Sequence, residues 1–256
     1  DPTDAGKVYG AGSEANLADP NAYYGAVYSS TNGGLSWTQA LTVPNPAYFY
    51  SLAVSPVTPT IVLAGGWAGN AGCIYRKDGG LDWAKVYTVP QNHVFSLAFH
   101  PLTPTLAYAA SGWPGAPMSL YRSEDGGVGW TKVLSDTAGP FVIEPPNTVY
   151  VVQASGKVLR STDGGDSWPN EVGDSPGAGE CLDIDLGLDP HLLYAGLYDG
   201  GVYTATTGTD VSWTEANNGV EVPVIPNVIA VDPKRPDYLY TAGGYPGGFR
   251  SEDGGP

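Results

Sequence analysis

Asp183 and Asp185 are two residues apart in an apolar segment, with Glu180 just before them. Alternate residues of a strand share a face, so both aspartates are expected to point the same way. Two carboxylates about 5 to 9.5 Å apart are what glycoside hydrolysis needs, one as acid and one as base or nucleophile. Such a cluster also suits a solvated rim or a bound cation. A second set of residues suggests binding. Trp67 in Gly-Gly-Trp-Ala-Gly, Trp113 in Ser-Gly-Trp-Pro-Gly, Tyr198 in Leu-Tyr-Asp-Gly and Tyr245 in Gly-Gly-Tyr-Pro-Gly each place an aromatic among glycines. Tyr48, Tyr50 and His93 fall in nearby connecting segments. Aromatics on such loops have little core to join and offer a platform for sugar rings or a protein partner. The competing expectation is that they fold back over apolar edges.

Further chemistry is sparse. The chain has no Gly-x-Ser-x-Gly, His-Glu-x-x-His or phosphate-loop motif, and His93, His100 and His191 lack metal-ligand spacing. We expect no cofactor, no metal and no recognisable catalytic constellation.

These residues must be positioned by a repeat. Trp37, Trp83, Trp130, Trp168 and Trp213 follow one another at intervals of 46, 47, 38 and 45 residues. Each closes a glycine-rich turn: Ser30 to Trp37, Arg76 to Trp83, Ser123 to Trp130, Ser161 to Trp168, and a degenerate Thr206 to Trp213. A sixth copy starts at Ser251 and contains Asp253. Periods of this length indicate propellers or solenoids. Between the turns, each unit shows an apolar strand a ending near a proline and a strand b such as Ile61 to Gly65 or Val149 to Val152. A strand c follows, such as Cys73 to Arg76, and the tryptophan opens strand d. Four short strands per unit match a propeller blade, and no long segment keeps a helical apolar period. The expected fold is all-β, a propeller of four-stranded blades with about six repeats visible. Asp183 and Asp185 would then face its channel or rim.

The turn Ser-x-Asp-Gly-Gly-x-x-Trp, complete at Ser123 to Trp130 and Ser161 to Trp168, resembles the Asp-box, or bacterial neuraminidase repeat. That family includes sialidases, xyloglucanases, sortilin-type receptors and photosystem II assembly propellers. The resemblance spans the whole chain; Asn32, Arg76, Thr206 and Gly208 depart from the pattern. It implies a structural role for Asp78, Asp125, Asp163 and Asp253, whose carboxylates can accept backbone N–H bonds inside their own turns. Each turn offers too few oxygens for calcium. A sialidase would show an arginine triad and a Tyr-Glu pair, whereas Arg76, Arg122, Arg160 and Arg250 recur at one position before the turns.

Eleven basic against 26 acidic residues give a net charge of −15, which repels nucleic acid and anionic lipid. No apolar run is long enough for a membrane helix. Cys73 and Cys181 lie more than two repeats apart and are expected to be separate thiols. Few lysines and many Tyr, Thr and Gly suggest an extracellular or periplasmic protein. We expect a single domain over 1–256, incomplete by about half a blade, since Asp1 corresponds to a position just after strand a and Pro256 precedes a strand d. The leading expectation is a non-catalytic module binding a protein or glycan through aromatic b-to-c loops, within a larger extracellular assembly. The alternatives are a glycoside hydrolase resembling xyloglucanases, acting on a β-glucan through Asp183 or Asp185, and a scaffold or assembly factor.

Overall fold

The structure, a computed structural model, describes residues 1–256 except 17–18, 45, 91, 114–115, 136–138, 154, 199, 218–225, 233–234, 236, 244–247 and 253–256. Tyr245 and Asp253 therefore lie outside the described residues. The described chain is all-β and forms β-propeller blades, divided between two compact units, Asp1–Asp136 and Thr137–Pro256.

In the first unit, β1 (Val8–Asn16), β2 (Asp19–Ser30) and β3 (Thr38–Val43) form one sheet. A second comprises β4 (Ala47–Val54), β5 (Ile61–Ala68), β6 (Ala71–Asp78) and β7 (Ala84–Pro90). The third comprises β8 (His93–Phe99), β9 (Ala107–Trp113), β10 (Ala116–Ser123) and β11 (Thr131–Leu134). In the second unit, β12 (Phe141–Glu144), β13 (Thr148–Val152), β14 (Lys157–Ser161) and β15 (Asn170–Asp174) are followed by β16 (Gly179–Asp185), β17 (Leu192–Leu197), β18 (Val202–Thr206) and β19 (Thr214–Glu215). The last sheet is β20 (Pro226–Val231), β21 (Leu239–Gly243) and β22 (Gly248–Ser251). Every sheet is an antiparallel meander in chain order.

Strand b is the most deeply buried element, and where sheets stack on both sides of it within one unit, as for β5 and β17, both its surfaces are covered. This is why it reads as an unbroken apolar run instead of an alternating one. Val62 to Gly66, Ala107 to Ala110, Val149 to Val152 and Leu193 to Leu197 are all buried. Within the first unit, Leu63 and Ile74 pack with Leu97 and Trp130, while Val27 and Phe49 pack with Ala64 and Cys73. Within the second, Tyr150 and Val158 meet Leu193 and Val211, and Cys181 and Tyr194 meet Ile229 and Leu239. Each buried Leu, Ile or Val contributes roughly 1.5–3 kcal/mol. Cys73 and Cys181 are both free and buried.

The acidic turns are closed by their own side chains. The Ser123 hydroxyl donates to Asp125 Oδ1 at 2.8 Å and accepts the Gly127 N–H at 2.9 Å, while Asp125 accepts the N–H groups of Val128 and Gly129. Ser161 and Asp163 repeat this arrangement with Gly165 and Ser167. Asn32 does the work of the acid in the first turn, accepting from the Ser30 hydroxyl and the Ser36 N–H. Gly127 and Gly165 have φ of 91° and 89°, in the left-handed region where a Cβ is strained. In the second turn Arg76 replaces the serine, and its guanidinium holds Asp78 Oδ2 at 2.9 Å and the Gly126 carbonyl at 2.9 Å. Each turn is tied to its own sheet by one backbone bond: Gly33 N–H to Gly6 O, Gly79 to Thr60, Gly126 to Thr105 and Gly164 to Asn147. Trp130 is buried, with Nε1 donating to Gly127 O, whereas Trp37 is half-exposed. Trp83 packs with the Val27–Phe49 cluster and Trp213 with the Tyr150–Leu193 cluster, while Trp168 is partly buried.

A register slip recurs in strand a. Phe49 pairs with Gly66 and Ser51 with Gly65, leaving Tyr50 as an extra residue; Phe95, Glu180 and Asn227 are its counterparts in β8, β16 and β20. Such bulges bend a strand and re-aim its side chains, and they favour the rims of propellers and barrels where ligands bind.

Candidate functional site: an aromatic row on the first unit

Five rings from three successive sheets of the first unit come together. Tyr23 of β2 lies 5.5 Å from Tyr48 of β4 by ring centroids, and Tyr48 lies 5.9 Å from Trp67 of β5. Trp67 stacks on His93 of β8 at 5.5 Å with 22° between planes. Tyr50 stands beside Tyr48 at 6.4 Å and 16°, and beside His93 at 5.3 Å. All interplanar angles among these rings are 38° or less at centroid separations of 5.3–6.4 Å, so the rings overlap as tilted and offset stacks.

The backbone explains the arrangement. Tyr48, Phe49 and Tyr50 are consecutive, and strand alternation sends Phe49 inward, 5% exposed and edge-on to Tyr75, while Tyr48 and Tyr50 turn outward. The extra residue at Tyr50 then carries its ring 45% into solvent while its hydroxyl reaches His93 Nδ1 at 3.0 Å. Gly66 and Gly72 let neighbouring backbone approach, because a Cβ at Gly66 would collide with the Tyr48 carbonyl oxygen and one at Gly72 with that of Asn92. Burial pushes the Tyr50 hydroxyl up, with a smaller push from Tyr48, and burial lowers the His93 imidazole, so the neutral forms of both are favoured.

Two of the b-to-c aromatics, Trp67 and Trp113, are strand residues and not loop residues. The β5–β6 ladder runs out to Ala68 opposite Ala71, placing Trp67 in a paired strand opposite Gly72. Gly66 beside it marks close backbone approach, whereas Gly69, with φ of 69°, belongs to the turn that joins β5 to β6. Trp113 likewise ends β9, paired with Ala116, and its side chain lies outside what is described. Tyr198 is in the second unit, 58% exposed just after β17, with its N–H bonded to Ala178 O. Of the seven expected binding residues, the structure thus joins Trp67, Tyr48, Tyr50 and His93. Tyr23 is the member the sequence reading missed. It sits on the β1–β2 hairpin, and its signal was an aromatic pair followed by Gly25 after a b-to-c connection.

The acidic candidates sit elsewhere. Asp183 accepts the Ile184 N–H at 2.9 Å and, across to the next sheet of its unit, the Val231 N–H at 2.7 Å. Burial pushes its carboxyl up, and the charge of Asp185 adds to that. Asp185 is only 4% exposed; Oδ1 accepts the Gly187 N–H at 2.7 Å, and Oδ2 is buried without a partner. The two occupy the C-terminal half of β16, the end nearer the acidic turns, and the Glu180 side chain lies outside what is described. Tyr194, opposite Asp183 in register, is buried, and its hydroxyl is pushed up by burial, then by Asp185, Asp183 and Asp237. Among the described residues, no three His, Cys, Asp or Glu side chains are grouped as metal ligands would be. The arginines before the turns have structural partners: Arg122 holds Glu124, Arg160 bonds the Tyr150 hydroxyl and Arg250 holds Glu252.

The sheets and their acidic turns define a class, the β-propeller, and comparison with known structures agrees on that fold. The GH74 enzyme of Niastella koreensis is similar with a TM-score of 0.68 at 18% identity, over 92% of this chain and 42% of that one. The GH74 xyloglucanase of Xanthomonas campestris is similar with a TM-score of 0.64 at 20% identity, over 93% and 43%. YCF48 from Cyanidioschyzon merolae has a TM-score of 0.63 at 14% identity, over 95% and 81%. The chain spans less than half the length of the two GH74 proteins. No family model matches it, and no curated protein matches its sequence.

Proposed function

We propose that this chain is a non-catalytic propeller module that binds a protein or glycan partner through the aromatic row of its first unit. The gathering of Tyr23, Tyr48, Tyr50, Trp67 and His93 on three adjacent sheets carries the reading. Aromatic rings supply large contact area at low entropic cost, and Tyr and Trp dominate binding energetics where they are found at interfaces. We read the acidic turns as Asp-boxes that brace the blades, and place the protein outside the cytoplasm on its composition. The similar structures include xyloglucanases and a YCF48 propeller with a bound D1 peptide, which supports both glycan and protein as partner classes.

Asp183 and Asp185 support a structural role in this reading. Asp183 spends both oxygens on backbone N–H groups and Asp185 is buried, so neither is poised at an open cleft as a glycosidic bond requires. The test is to screen the protein and its Trp67→Ala/Tyr50→Ala variant against oligosaccharide and peptide arrays. Ligands captured by the parent and lost by the folded variant support the row as the binding face. Identical capture by both refutes it, and reducing-end release from a glucan by the parent would favour the hydrolase.

A further inference from the structure

The joints between sheets inside each unit show how one blade seats on the next. Trp83, Trp130 and Trp213 each pack into a cluster shared with the preceding sheet, beside Val27, Leu63 and Tyr150 respectively. The preceding sheet reaches forward in turn. Arg76 Nε donates to the Gly126 carbonyl of the following sheet at 2.9 Å, and the Tyr150 hydroxyl accepts the Gly208 N–H at 2.9 Å. Leu63 and Tyr150 stand opposite Arg76 and Arg160 in register, and both are fully buried. The two halves of this joint recur on two exposed faces. On the outer face of the β1–β3 sheet, Trp37 lies over Gly10 and is 46% exposed, beside a groove of about 420 Å³ floored by Gly12 and Ala26. Val27, next to Ala26, turns the other way to pack with Phe49. On the β20–β22 sheet, Tyr240 stands opposite Arg250 as Leu63 does opposite Arg76, yet it is 40% exposed, with Val228 exposed beside it.

We propose that these two faces join in trans: the outer face of the β1–β3 sheet of one copy of this chain seats on the outer face of the β20–β22 sheet of a second copy. Each chain carries one half of each kind, so a second copy supplies the complement of both. The internal joints give the pairing. Trp37 packs over Tyr240 and Val228, as Trp130 packs with Leu63. Arg76 holds Asp78 through Nη2 while its Nε reaches the next sheet, and Arg250 holds Glu252 through the same nitrogen. Arg250 Nε is thus placed for the Gly33 carbonyl of the second copy, Gly33 being tied to Gly6 as Gly126 is tied to Thr105. The contact uses different patches on the two copies, so it is head-to-tail and either closes into a ring or runs on as a filament. It is independent of the aromatic row.

Sedimentation velocity of the full chain over a range of concentrations tests this, with one variant blocking each face. Gly12→Arg fills the groove on the first face, where an added Cβ meets no atom within 4 Å, and Tyr240→Asp places a charge on the last. The parent is expected to gain mass with concentration, while each variant alone stays monomeric. Mixed in equal amounts, the two variants are expected to form dimers and nothing larger, because Tyr240→Asp keeps an intact first face and Gly12→Arg an intact last face. Trp37→Ala is expected to weaken the parent's association at least about tenfold, as loss of a central aromatic anchor does. Thermal denaturation checks that the variants fold; Trp37→Ala replaces an unfolded Gly12→Arg, and Val228→Asp an unfolded Tyr240→Asp. A parent that stays monomeric at every concentration overturns the proposal. Association that survives both blocking variants, or is abolished by only one of them, places the contact elsewhere or makes a face pair with itself, and either result overturns it. Folded variants that fail to dimerise when mixed overturn the head-to-tail joint.

Discussion

The Tyr50 hydroxyl lies 3.0 Å from His93 Nδ1, joining the extra residue of one strand a to the first residue of the next. Both groups are partly desolvated, and burial lowers the imidazole below its ordinary value of 6.5. The folded state therefore binds fewer protons at this site than the unfolded chain, so stability rises with pH across the window below 6.5 and is lost on acidification. His93→Gln should flatten this part of the profile. Thermal midpoints at pH 7.5 and pH 5 for both proteins give the comparison; an equal acid-induced drop in each would contradict the assignment.

Ser161→Ala removes a hydroxyl that both donates to Asp163 and accepts the buried Gly165 N–H. The expected loss is about 1–3 kcal/mol at neutral pH, because the Gly165 donor is left unpaired. Hydrogen bonds from Ser161 and Ser167 also hold the Asp163 carboxyl well below the usual carboxylate range. A depressed carboxylate contributes stability above its unfolded value and loses it as pH falls through the folded value. The parent should therefore keep this turn into more acidic solution than the variant does. Urea unfolding at pH 7 and pH 3 would show it, and parallel curves would count against the turn as a stabilising element.

Gly66→Ala should disturb the row without touching any of its rings. The new methyl would meet the Tyr48 carbonyl oxygen and Phe49, forcing the start of β4 away from β5 at an overpacking cost of about 1–3 kcal/mol. Quenching of tryptophan fluorescence by acrylamide, dominated near the row by Trp67, is expected to increase along with a fall in thermal midpoint. Unchanged values for both would mean the strand absorbs the methyl.

Burial pushes the Cys73 thiol up to about 11, with Lys85 and a backbone bond from Gly66 offsetting only part of that. Neutral, buried thiols are poor nucleophiles. A disulfide reagent at pH 7.5 should label Cys73 only after denaturant is added. Rapid labelling of the native protein, mapped to Cys73 by peptide mass, would show that β6 opens far more readily than its packing implies.

Much of the architecture is set locally and is readable from residue order alone. The tryptophan period, the prolines after strand a, and the Ser, Asp and Gly of the turns act within a few positions of one another. Their side chains close the turns just as their chemistry requires. The apolar run of strand b likewise announces burial on both faces. Tertiary structure decided which aromatics meet. A one-residue shift in pairing reverses the face a side chain occupies, so the extra residue at Tyr50 could be placed only once β4 was paired with β5. Gly66 and Gly72, which look like loop punctuation, sit within strands because backbone from neighbouring segments comes too close for a Cβ. Tyr23 joined Tyr48 because the sheets stack, a contact between chain segments 25 residues apart that no local pattern encodes. Asp183 and Asp185, by contrast, were displaced from an open acid pair by the Val231 N–H and by burial, both supplied by elements remote in sequence.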